Sequence, residues 1–71
     1  MWTQAIMTLA EHHDERVRWR YRYMNHETII AGEHDVERDV VQGEVVEGND
    51  PQFPVGLPLV TIRREEVEEA E

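Results

Sequence analysis

Hydrophobic and polar residues alternate most strictly between positions 16 and 23. Arg16, Arg18, Arg20 and Arg22 take one parity, and Val17, Trp19, Tyr21 and Tyr23 take the other. Successive side chains of an extended chain point to opposite faces, so this pattern predicts a strand over about 16 to 24 with an arginine face and an aromatic face. Asn25-His26-Glu27 follows as a turn. Thr28-Ile29-Ile30-Ala31 then supplies an antiparallel mate ending near Gly32, which makes a central hairpin from Arg16 to Glu33. On this mate Glu27, Ile29, Ala31 and Glu33 share one face, and Thr28, Ile30 and Gly32 the other.

Elsewhere the pattern is less regular. Trp2, Ala5, Ile6 and Leu9 fall at i, i+3, i+4 and i+7, the stripe of an amphipathic helix, and predict a short helix over about 3 to 12 with Thr3 as a cap. Near-alternation of Ile6, Thr8 and Ala10 with Met7 and Leu9 keeps a strand open there. Residues 35 to 42 also admit two forms: a short helix capped by Asp35 that buries Val36 and Val40, with Val41 beside them, or a strand running to Gly43. Gly43-Glu44-Val45-Val46-Glu47-Gly48 predicts a valine-centred strand, and Asn49-Asp50-Pro51 a turn. The stretch Phe53-Pro54-Val55-Gly56-Leu57-Pro58 cannot be a central strand, because proline lacks the ladder donor. Its apolar content predicts packing across the core or against a partner. Leu59-Val60-Thr61-Ile62-Arg63 reads as a closing strand.

The pattern therefore predicts a small single domain over 1–64 of the α+β class, β-rich, with an antiparallel sheet, a central hairpin and a short N-terminal helix. The alternative is an all-β small barrel or sandwich. Residues 65–71 carry five glutamates and are expected to form a frayed helix or a disordered acidic C-terminal tail. The expected core draws on Ile6, Leu9, Val17, Trp19, Tyr21, Ile30, Val40, Val45, Leu59, Val60 and Ile62.

Composition sharpens this picture. The chain has 71 residues, a size at which folding buries only about 60% of the surface the unfolded form exposes. Cysteine is absent, so neither disulfides nor thiolate metal sites can staple it. Sixteen acidic residues face seven basic ones, for a formal net charge of −9, and every basic residue is an arginine. Arginine without lysine, among many acids, looks like a high-GC genome or the halophile-like composition of salt-adapted microbes and their viruses. No apolar stretch approaches the roughly 20 residues that span a bilayer, and no secretion signal opens the chain. A cytoplasmic protein, or one within an assembled viral or phage particle, is expected, without membrane association.

Candidate chemistry is sparse. Serine is absent, and the chain has no phosphate-binding glycine loop, dinucleotide fingerprint or zinc-protease motif. His12 and His13 adjoin Asp14 and Glu15, but adjacent residues rarely converge on one ion, and His26 and His34 belong to different predicted turns. The expectation is a non-enzymatic protein without cofactor or metal. Candidate interface residues are Arg16, Arg18, Arg20 and Arg22 on the arginine face and Phe53 in the proline-rich loop.

Three roles are open to the arginine face. It can pair across strands with Glu27, Glu33, Glu44, Glu47 or Glu65, it can meet carboxylates of another chain, or it can contact phosphate. Direct nucleic-acid binding is disfavoured, since single-strand binders interleave basic groups and aromatics on one surface, whereas here they point apart. The leading expectation is a protein-binding or structural module, with self-association into a homo-oligomer open to it. An acidic nucleic-acid mimic that inhibits a basic host protein is the alternative.

Overall fold

The computed structural model describes residues 16–70. Five antiparallel strands form one sheet: β1 (Val17–Tyr23), β2 (His26–Asp35), β3 (Val40–Gly48), β4 (Val60–Arg63) and β5 (Val67–Ala70). Their spatial order is β4-β3-β2-β1-β5. A single turn of 3-10 helix, Arg64–Glu66, joins β4 to β5. The β-rich antiparallel expectation holds, and no α-helix occurs among the described residues. The helix predicted over 3 to 12 lies outside them.

Chain connectivity dictates the curvature of the sheet. Four strand spacings of about 4.8 Å would put β4 and β5 roughly 19 Å apart in a flat sheet, whereas a three-residue 3-10 turn advances only about 6 Å. The sheet must therefore curl until its outer strands approach. It does so around one buried cluster of Trp19, Ile30, Val41, Val45, Val60, Ile62 and Val67, to which all five strands contribute.

A glycine pair permits a close approach of β2 and β3. Gly32 and Gly43 lie opposite each other in the β2/β3 ladder. A Cβ at Gly32 would stand 2.6 Å from the Gly43 Cα and would run into the Gln42 carbonyl oxygen; one at Gly43 would stand 2.7 Å from the Gly32 Cα. Only hydrogen fits between the two backbones. The Gly32 carbonyl in turn accepts a hydrogen bond from Trp19 Nε1 at 3.3 Å, which satisfies the one polar atom of the largest core side chain.

The structure corrects several expectations. The first turn is Met24-Asn25, not Asn25-His26-Glu27, and both residues have positive φ, 48° and 67°, as a two-residue hairpin whose twist matches the strands requires. Between 35 and 42 there is no helix: β2 runs to Asp35, residues 36–39 turn, and β3 starts at Val40. Val41 rather than Val40 enters the core, because His34 and Val41 pair on the inner face. Val17 and Leu59, expected inside, are 46% and 63% exposed near the ends of the β1 and β4 region. Residues 67–70, expected as part of an acidic tail, form β5, since Val67 lies opposite Tyr21 and is buried.

Candidate functional site

Register places the arginines of β1 among carboxylates on the outer face of the sheet. Arg20 lies opposite Ile29 of β2 and Glu68 of β5, and Arg22 opposite Glu27. Glu27 Oε1 stands 3.4 Å from Arg20 Nε and 3.3 Å from Arg22 Nε; Glu68 Oε1 stands 3.5 Å from Arg20 and 3.8 Å from Arg22. Two arginines and two glutamates thus form a neutral ring. Arg20 Nε is buried and its contact with Glu27 is electrostatic only, with no hydrogen bond made.

The other two arginines reach farther. Arg18 lies opposite Ala31 of β2, while its partner Glu47 of β3 lies opposite Ile29, so their 3.2 Å contact must arch over β2. Arg16 likewise meets Glu44 of β3 at 3.0 Å. Beneath these arches Ile29 and Ala31 are buried although they face away from the main core.

A β-bulge makes the Arg18–Glu47 arch possible. Val41 and Val45 point inward, and strict alternation would send Glu47 inward as well. The ladder pairs Ile30 with Val45 but Ile29 with Glu47, leaving Val46 as an extra residue. That insertion reverses the parity and delivers Glu47 to Arg18 on the outer face. The loop segment 56–57 caps the irregularity: Val45 N donates to Leu57 O at 3.0 Å, and Gly56 N donates to Val45 O at 2.9 Å.

The remaining arginines are engaged too. Arg63 meets Glu66 at 3.1 Å and Arg38 meets Asp35 at 3.8 Å. Arg64 places its guanidinium 4.9 Å from the Trp19 ring centroid and donates to the Val67 carbonyl at 2.9 Å. Glu33, Glu37 and Glu69 are exposed and have no cationic partner among the described residues.

On the inner face the aromatics are graded. Trp19 is 4% exposed, Tyr21 is half-buried and Tyr23 is 45% exposed. Tyr21 and Tyr23 are near-parallel, 6° between planes with centroids 6.3 Å apart. Phe53 stands at 90° to Tyr21 at 5.7 Å. The 50–53 turn presents Phe53: Asp50 Oδ1 accepts from Gln52 N at 2.9 Å, and the Asp50 carbonyl accepts from Phe53 N at 3.0 Å. Asp50 is only 4% exposed, and its Oδ2 has no hydrogen-bond partner; neither has Thr28 Oγ1, which lies opposite Tyr21. Burial, then the charges of Glu66, Tyr23 and Asp50, pushes the Tyr21 phenol above its ordinary 10.0.

The predicted site residues therefore separate. Arg16, Arg18, Arg20 and Arg22 gather on one face with internal partners, of which Glu27, Glu44 and Glu47 were foreseen, whereas Glu33 and Glu65 do not reach them. Phe53 joins the opposite face. Sequence reasoning missed Glu68, hidden in the glutamate run, and Asp50, whose turn signal was legible but whose burial was not. No group of three or more potential metal ligands occurs among the described residues, and no described helix is long and apolar enough to cross a membrane. No family model, curated protein or solved structure matches this chain.

Proposed function

We propose that the protein is a non-enzymatic binding module whose partner is a basic protein. The observation that carries this is the asymmetry of charge engagement. All seven arginines are paired or stacked within the chain, while Glu33, Glu37 and Glu69 stand exposed without a cation among the described residues. A net charge of −9 then acts outward as attraction for positive surfaces. Every guanidinium on the arginine face already has a carboxylate partner, which favours a protein over nucleic acid as partner. The same engagement leaves the arginine face little to offer a second copy of the chain.

Binding to purified basic and acidic proteins at low and high salt tests the proposal. Selective, salt-sensitive capture of the basic ones is expected, with no gel shift of single- or double-stranded DNA. Equal binding to acidic proteins, or a clear shift of DNA at low salt, would overturn it. The acidic-mimic form of this function adds one requirement, that duplex DNA compete for the same basic partner.

A further inference from the structure

The aromatic corner opposite the arginine face has the chemistry to receive one cationic group. Tyr21 and Tyr23 offer near-parallel ring faces, and Phe53 sets a third ring perpendicular to them. The quadrupole of an aromatic face attracts a guanidinium or ammonium within about 6 Å of its centroid. Tyr23 is 45% exposed, so the corner opens to solvent.

The turn that carries Phe53 holds a carboxylate whose bonding is half complete. Asp50 Oδ1 holds the backbone of the turn that carries Phe53, whereas Oδ2 is buried without a partner. A buried unpaired acceptor of this kind is costly to leave unsatisfied. Asp50 follows Asn49, whose side chain and backbone clamp Glu27 of β2, and so belongs to the end of the sheet where Tyr21 and Thr28 face each other. Its charge is felt at the Tyr21 phenol, as is that of Glu66.

We propose that Tyr21, Tyr23 and Phe53, backed by the Asp50 carboxylate, form a recognition site for an arginine or lysine side chain presented by a partner protein. A second copy of this chain is the weaker source of that group. It contains no lysine, and each of its seven arginines is already engaged. The occupant is a basic segment of a different protein, guided in by the acidic surface and held where the rings meet Asp50. This inference rests on the binding of a basic partner and gives that function a location.

The test titrates the full chain with a synthetic arginine-glycine repeat peptide at low salt, followed by calorimetry and by the ring-proton resonances of Tyr21, Tyr23 and Phe53. Tyr23→Leu keeps apolar area and charge but removes the π face, and Asp50→Asn keeps the turn-forming Oδ1 while removing the charge. Each is expected to weaken binding about tenfold, Tyr23→Phe to bind nearly as the parent, and Val36→Thr, at a 77% exposed position in the 36–39 turn, to change affinity less than about twofold. Tyr23 lies at the rim, so its variants keep the test decisive even where Asp50→Asn fails to fold. Unchanged binding by Tyr23→Leu, with ring resonances that do not move, would overturn the site while leaving the basic-partner function standing. Absence of binding by the parent chain would overturn both.

Discussion

The two faces of β1 carry groups of comparable recognition value and use them in opposite ways. The outer face concentrates four guanidiniums, and each is met by a carboxylate from β2, β3 or β5. The inner face runs from a buried tryptophan to an exposed tyrosine, and beside its open end a buried carboxylate oxygen has no partner. Density of charge is thus a poor guide to which face keeps unpartnered groups. What distinguishes the faces is completeness: alternate strands satisfy the outer one, while the inner one ends in rings and an acid that nothing in the described chain completes.

The sharpest way to break the separation is to prevent the sheet from curling. Gly32→Ala would force a Cβ to within 2.6 Å of the Gly43 Cα, where no flexible side chain can yield. A loss of about 3 kcal/mol is expected from such overpacking, enough to unfold much of a small domain, and urea denaturation followed by Trp fluorescence measures it. Gly56→Ala is the contrasting case. Gly56 has φ of 97° and no atom within 4 Å of an added Cβ, so only backbone strain of about 1 kcal/mol opposes it. Equal losses for the two substitutions would show that close approach of β2 and β3 does not limit stability.

A smaller effect is expected from the outer face. The Arg18–Glu47 pair arches over β2, but its side chains are 43% and 63% exposed. Solvent and salt screen such a pair. A double-mutant cycle with Arg18→Ala and Glu47→Ala should give a coupling below about 1 kcal/mol that shrinks as salt rises. Arg18→Ala alone should cost more than the coupling, since reaching Glu47 carries the arginine stem across β2, where Ala31 and Ile29 are buried. A coupling that exceeds the single-mutant losses and ignores salt would mean that the outer network, and not the inner core, holds the hairpin to β3.

The contrast between the faces also explains which features were legible in the sequence. Period-two alternation in Arg16 to Tyr23 is a local property of one strand, so both faces of β1 and the identity of Trp19 as core could be read directly. The partner of Arg18 could be named only as one glutamate among several. Its delivery depends on the extra residue at Val46, a backbone event that reverses parity and that valine-rich sequence does not mark. The strand Val67–Ala70 was obscured because a single inward valine sits among glutamates, two of which flank it as solvated or ion-paired neighbours. Exposure of Val17 and Leu59 reflects their places near strand ends, which hydrophobicity alone does not report. Asp50 belonged to a recognisable turn, yet its burial is a tertiary property that a local turn signal does not carry.

The most delicate probe of the inner face leaves the fold untouched at neutral pH. Burial and the neighbouring charges of Glu66, Tyr23 and Asp50 hold the Tyr21 phenol above 10.0 in the folded protein. The unfolded chain releases this proton near 10, so below that pH both states bind it and it contributes no pH dependence. As pH rises past 10 the unfolded state loses the proton first, the folded state binds more protons than the unfolded, and stability falls until the folded phenol also ionises. Ultraviolet titration of tyrosinate should therefore show a late component that Tyr21→Phe removes, and the same substitution should flatten the alkaline limb of the stability curve. Because the Asp50 charge is the smallest of these influences, Asp50→Asn should move the late component toward 10 only slightly. A peptide cation seated against the rings would pull it the same way, by stabilising the tyrosinate, so a downward shift of the Tyr21 titration on adding the arginine-glycine peptide would tie the open end of the inner face to its ligand through a single proton.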